Sequence, residues 1–290
     1  MKTLKTLFKR GISTVLLLFL FSIVIFGSPL SSQIVFAVLA VYFSAAGTWE
    51  FCSLAEAAGY RGNRFLASFC SGLTVLLILL KEPLYAGMVS FLLIVFSWIL
   101  LLFSENRKEK LGNIATTDFC YFIMILPCAA IVSVYAFSFS EVSGLKLLLY
   151  LILVTKAGDI GAYLVGTLCN AVQKGGNHKM IPSISPGKSY EGAFGGLLFS
   201  MGVSVYLMKY CGISDSLYAA AAAGVLFFFG GMAGDLAESS LKRMGGVKDS
   251  GGLLPGIGGV LDLIDSLMIN GVIFFLCLVF SGKENIFPGM

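Results

Sequence analysis

Nine apolar runs separated by short polar stretches set the layout of the 290-residue chain. They lie at about 12–27, 32–48, 65–80, 84–103, 119–139, 145–168, 191–209, 217–234 and 262–281. A helix needs about 20 mostly apolar residues to cross a bilayer, with a working range of roughly 17–25. The pattern therefore predicts an all-α, polytopic integral membrane bundle of about nine transmembrane helices. The first run follows a basic flank (Lys2, Lys5, Lys9, Arg10), as a signal peptide does. No small-x-small cleavage motif comes after it, where Phe26, Gly27, Ser28 and Pro29 stand, so an uncleaved helix is expected.

Composition agrees with the pattern. Hydrophobic residues make up 57% of the chain and charged residues 12%, against about 25% charged in a soluble domain. Threading nine spans with the N-terminus in the cytoplasm puts fifteen of the twenty Lys and Arg on the cytoplasmic side and four outside, with Lys156 inside a span. That asymmetry satisfies the positive-inside rule. It also places the 169–190 loop and the 234–265 stretch on the side where soluble nucleotides are. The net charge of +4 is small, and no nucleic-acid partner is expected.

The seven cysteines are scattered singly and His178 is the only histidine, which argues against a zinc site or a disulfide framework. Any metal should be a hard cation on oxygen ligands, such as Mg²⁺.

The chemistry is uneven along the chain. Residues 1–140 read as scaffold helices; Glu50 and Glu56 could touch a site, although a solvated loop end is the simpler reading. Residues 141–290 read as the catalytic membrane domain. Lys156 and Asp159 sit in or at the end of the sixth run, three apart, where they can pair on one helix face. The octet from Ser185 to Gly192 opens the seventh run, and Ser185 and Lys188 ahead of free helix N–H groups could hold a phosphate. An ordinary capped helix start, with Glu191 in its first turn, explains the same octet equally well.

The richest stretch is Gly234 to Asp265. Asp235 and Glu238 open it, Asp262 and Asp265 repeat the three-residue spacing at its end, and Lys242, Arg243 and Lys248 lie between, among seven further glycines. Carboxylates at both ends with cations between them suit a metal-bound, phosphate-rich substrate.

Ser239, Leu241, Lys242, Arg243, Lys248 and Asp249, followed by Pro255-Gly256-x-Gly258-Gly259-x-x-Asp262-x-x-Asp265, closely resemble the signature of phosphatidate cytidylyltransferases (CDP-diacylglycerol synthases). Two weaker elements resemble the same family in the same order: Asp159, Ala162, Tyr163 and Gly166, then Ser185-Pro186-x-Lys188 with Glu191-Gly192. The resemblance covers roughly residues 155–270. It departs where the family usually has His and Arg, at Ile257 and Leu263, and at Thr167 in place of a basic residue.

The resemblance implies transfer of CMP from CTP to phosphatidic acid, giving CDP-diacylglycerol and pyrophosphate. On that basis Asp235 and Asp262 are expected as primary metal ligands and Asp265 as a further one, with Asp159 and Glu238 as weaker candidates. Mg²⁺ is the expected cofactor, with room for a second cation. Asp235, Asp262, Asp265 and Lys242 are the expected catalytic residues. Ser185, Lys188, Glu191, Ser239, Lys242, Arg243, Lys248, Asp249, Gly258 and Gly259 are expected at the substrates, the glycines by letting backbone N–H groups approach the triphosphate. A bacterial inner membrane, a cytoplasmic active site and compatibility with a homodimer complete the expectation. A CTP-dependent polyprenol or phytol kinase would share acidic and glycine motifs. A transporter would need its acids near the bilayer midplane and two-fold repeats, and no repeat is visible.

Overall fold

In the computed structural model each apolar run falls on a helix apart from residues at its ends, residues 138–139 lying outside the described residues, and several helices continue well past the apolar residues. The structure describes residues 2–137, 142–173, 176–256 and 258–281, with side chains from residue 10 onward. The helices are α1 (Lys2–Phe26), α2 (Pro29–Ala57), α3 (Arg64–Leu79), α4 (Pro83–Leu102), α5 (Arg107–Ala136), α6 (Gly144–Val172), α7 (Tyr190–Tyr210), α8 (Leu217–Met244) and α9 (Leu261–Phe280). Seven of these are long and apolar enough to cross a membrane, while Arg10–Phe26 and α3 are shorter apolar helices. The chain is an integral membrane protein.

Helix ends follow local chemistry. Ser28 caps α2 with Pro29 in its first turn, Asn63 caps α3 and Ser189 caps α7, each through a side-chain oxygen that accepts a free backbone N–H. The sequence pattern stopped α2 at residue 48 and α8 at residue 234. The helices run on to Ala57 and Met244 because Glu, Lys, Arg, Leu and Ala all favour helix. Glu50 and Asp235 therefore stand on helices.

One element was absent from the sequence pattern. β1 (Lys179–Ile181) and β2 (Ser185–Ser189) form an antiparallel hairpin in which Lys179 faces Ser189 and Ile181 faces Ser185.

The chain divides into two compact units. The first comprises Met1–Val132 and Leu241–Ile264, the second Ser133–Ser240 and Asp265–Met290. In the first unit, buried polar groups are paired between helices: Ser44 with Ser71 at 2.6 Å, and the Tyr121 hydroxyl with Thr74 at 2.9 Å and Ser90 at 2.6 Å. In the second, Tyr150, Phe227 and Phe274 form an aromatic cluster with ring centroids 5.4–5.8 Å apart. The Tyr150 hydroxyl lies 2.6 Å from Ser204 Oγ. Such pairings satisfy polar groups that lipid cannot.

Candidate functional site

The second unit holds a cavity of about 280 Å³ between α6, the hairpin, the start of α7 and α8. Its polar side carries Asp159, Ser185, Lys188 and Asp235, and its apolar side Phe227 and Phe228. Lys188, projecting from β2, donates from Nζ to Asp235 Oδ2 at 3.1 Å and to the Met232 carbonyl at 3.4 Å. The hairpin is thus the device that brings Lys188 to α8. It is itself anchored at the base, where both the backbone N–H and the ring Nδ1 of His178 meet the Glu191 carboxylate at 2.6–3.2 Å.

A second cluster in this unit joins α6 to α9. Lys156 Nζ donates to Asp159 Oδ2 at 3.2 Å, the pairing its spacing predicts, and to Ser266 Oγ at 2.8 Å. Ser266 Oγ in turn donates to Asp159 Oδ2 at 3.2 Å. Asp265 accepts the Ser266 N–H and lies close enough to Asp235, Lys156 and Asp159 to feel each of their charges. Asp159 and Asp235 act on each other in the same way. Gly234 makes this approach feasible, because a Cβ there would fall 3.0 Å from the Asp265 backbone carbon. Three carboxylates and two ammonium groups thus share one neighbourhood. They do not converge on a point: among the described residues no three His, Cys, Asp or Glu are gathered to hold a metal ion.

The first unit contains the glycine-rich turn, and here the carboxylates are bound inward. Lys242 Nζ donates to Asp262 Oδ1 at 2.7 Å, while the N–H groups of Ser250 and Gly259 donate to Asp262 Oδ2 at 3.1 and 2.8 Å. Leu254 and Gly258 exchange two backbone hydrogen bonds of 3.1 Å. The tip between them needs glycine, since Gly256 has φ +80° and Gly258 φ +127°. Helix α1 secures that tip: Arg10 Nε donates to the Gly256 carbonyl, and Ser13 Oγ to the Pro255 carbonyl at 2.9 Å.

Beneath the turn lies Glu50, for which a solvated loop end was the simpler expectation. It is 2% exposed. Its Oε2 accepts the Leu261 N–H at 2.9 Å and the Ser250 hydroxyl at 3.3 Å. Two glycines of the turn make room for it, because a Cβ at Gly251 would fall 2.8 Å from Glu50 Cγ, and one at Gly259 2.9 Å from Glu50 Cδ. A faint signal was available, since Glu50 continues a helix whose next positions, Phe51, Cys52, Leu54 and Ala55, remain apolar.

The remaining expected residues sit as follows. Glu238 is buried on α8 and Ser239 half-buried next to it. Arg243, Lys248 and Asp249 are exposed, with Arg243 donating to the Val247 carbonyl at 3.4 Å. Leu263 is half-buried on α9, and Ile257 lies outside the described residues.

Residues 8–281 match the sequence model described as the cytidylyltransferase family. The chain belongs to that family. Its relatives include a phosphatidate cytidylyltransferase of Staphylococcus haemolyticus, 35% identical over 61% of this chain and 64% of the relative. An uncharacterized protein of Escherichia coli, YnbB, is 42% identical over 46% of this chain and 42% of its own length. A chloroplastic phosphatidate cytidylyltransferase of Arabidopsis thaliana is 48% identical over 32% of this chain and 23% of its own. In each case the chain spans less than two thirds of the relative's length. This cytidylyltransferase-family member thus carries its signature in two structural settings: Ser239 and Asp265 in the second unit, and Leu241 to Asp262 in the first unit.

Proposed function

We propose that the chain transfers CMP from CTP to phosphatidic acid, releasing pyrophosphate and leaving CDP-diacylglycerol. The observation that carries the reading is the cavity of the second unit, where Lys188 and Asp235 meet at 3.1 Å beside an apolar wall of Phe227 and Phe228. A phosphomonoester attached to acyl chains has that same division of polar and apolar parts. Membership of the cytidylyltransferase family and the names of the relatives support the same reaction.

In the reaction a phosphate oxygen of the lipid forms a bond to the α-phosphorus of CTP as the bond to the β-phosphate oxygen breaks. An anion attacking a polyanion requires charge neutralisation and alignment above all. Lys188 neutralises and orients the lipid phosphate, exchanging its contact with Asp235 for one with the substrate. Lys156 keeps Asp159 in place. Lys242, Arg243 and Lys248 offer cations to the triphosphate, and Asp262, with Gly258 and Gly259, shapes the turn that presents them. Ser185, Ser239 and Asp249 complete the polar surface, and Glu191 holds the hairpin.

The carboxylates of the second unit are hard oxygen donors of the kind Mg²⁺ takes and stand close enough to feel one another's charge, although among the described residues no three of them converge. Asp235 and Asp265 would hold it, with Asp159 and Glu238 as further candidates; Asp262 stays a candidate from the first unit. The ion would supply Lewis-acid stabilisation of phosphate charge. We also assign nine spans, a cytoplasmic N-terminus and a cytoplasmic site to the chain, on the positive-inside count and the presence of CTP in the cytoplasm.

The test is purified protein with phosphatidic acid, Mg²⁺ and α-labelled CTP. Label in a CDP-lipid, lost with EDTA, is the expected result. CDP as the nucleotide product would identify a lipid kinase and overturn the reading.

A further inference from the structure

We infer that the first unit carries a binding site for the phosphate of an anionic phospholipid headgroup, in a second cavity whose lining residues have no assigned part in the reaction. The cavity, of about 190 Å³, lies where the α2–α3 turn meets the end of α4 and the start of α5. Two cations line it, Arg61 and Lys110. Among the described residues neither has a carboxylate within ion-pair distance. The contrast with Arg64, three positions on, is direct: its guanidinium lies 4.5 Å from the centre of the Trp49 ring and 3.9 Å from Glu56. The charges of Arg61 and Lys110 are therefore available to an anion.

The polar walls are held in place before any ligand arrives. The Asn63 N–H donates to Thr117 Oγ1 at 2.8 Å, and that hydroxyl donates to the Asn113 carbonyl at 2.7 Å. This ties the α2–α3 turn to α5. Asn63 Oδ1 caps α3 by accepting the Leu66 N–H at 3.0 Å, which leaves the amide NH₂ of Asn63 as a donor. The Asn113 side chain adds another amide to the lining. On the α4 side, Ser97 Oγ donates to Asp118 at 3.3 Å, and the lining of the cavity includes the serine but not that aspartate. Two cations and two amides on a fixed frame are the groups that recognise a phosphate by charge-assisted hydrogen bonds.

Size and surroundings select the source of that phosphate. Pockets for drug-sized ligands run to about 300–1,000 Å³, so a 190 Å³ cavity suits a headgroup and not a nucleoside triphosphate. Leu66 and Leu100 line its apolar edge. Next to them in sequence, Phe65, Leu102 and Phe103 are exposed on the same helix ends, where acyl chains would lie. A basic cavity between membrane helices at their polar ends is a recognised form of headgroup site. Phosphate chemistry draws the ligand in, and the flanking lipid-facing surface favours a lipid over free phosphate.

The experiment uses the full chain in detergent micelles, with phosphatidylglycerol and phosphatidylcholine as probes and bound lipid counted by native mass spectrometry. Phosphatidylglycerol has no phosphomonoester and is not the nucleophile of the proposed reaction. The wild-type protein should prefer it by about 10-fold, the scale of one charge-assisted hydrogen bond. The R61A/K110A protein should lose that preference, R61K/K110R should keep it, and R61Q or K110Q alone should each lose roughly threefold. K188A, altered in the second unit, should bind phosphatidylglycerol as the wild type does, whatever becomes of its activity. Equal preference in the wild type and in folded R61A/K110A, or in R61Q and K110Q if the double variant does not fold, would overturn the site. Displacement of the lipid by equimolar inorganic phosphate would overturn its assignment to a lipid.

Discussion

Asp262 in the first unit and Asp235 in the second belong to acidic pairs of identical spacing, yet their surroundings are opposite in kind. Asp262 is gripped by Lys242 and by two backbone N–H groups, above a buried Glu50 that ties down Ser250 and Leu261. Asp235 faces a cavity and is met there by a single lysine carried on a hairpin. Backbone N–H groups cannot leave without unmaking the turn, whereas a lysine side chain can exchange one anion for another. The difference teaches that equal spacing in the sequence does not imply equal work. The turn is built for rigidity, and the cavity for exchange.

The sharpest way to break this comparison is to change each region and watch which property responds. Asp235→Asn should lower CDP-lipid formation by about 1,000-fold, the scale of removing one key electrostatic group from a site. Its thermal unfolding in detergent should match the wild type. Near-normal output at equal protein would remove Asp235 from the chemistry.

Glu50→Ala should act on stability instead, by about 2–4 kcal/mol, since it leaves the Leu261 N–H and Ser250 hydroxyl without their acceptor and opens a void. Glu50→Gln keeps an acceptor oxygen and should recover most of that loss. Unfolding in denaturant measures both, and a stable Glu50→Ala protein would mean the turn holds itself. Next in size, Gly259→Ala should cost about 1–3 kcal/mol by pressing a methyl group into Glu50 and Ser250. The smallest effect belongs to Gly252→Ala in the same turn, where a Cβ would meet nothing within 4 Å; a change within about 0.5 kcal/mol is expected. If Gly252→Ala were as harmful as Gly259→Ala, the glycines would be serving something other than clearance for Glu50.

Local pattern made helices α1 to α9 legible as helices, because a 20-residue apolar run has few alternatives in a membrane. It failed at helix ends, where α8 carries Asp235 to Arg243 as readily as it carries apolar residues. It failed also at the β1–β2 hairpin, whose strands of three and five residues contain Pro186 and Gly187 and give no alternation to read. Among the candidate residues, the i,i+3 pairing of Lys156 with Asp159 is a local matter and was foreseeable. For Glu50 only the apolar positions that follow it hinted at burial, and its partner Ser250, 200 positions away, could not be read locally.

That distance also governs how the protein is made. The first unit is completed only by residues Leu241–Ile264, after the 133–240 segment of the second unit has been synthesised. At about 5–20 residues per second, Glu50 waits roughly 10–40 seconds for Ser250 across those 200 positions. During that interval a carboxyl group on α2, only 2% exposed in the finished protein, has neither of its final partners, and burying it unpaired is costly. A nascent chain interrupted before the signature turn would therefore present an unfinished first unit, with Glu50 still without the two groups that donate to it.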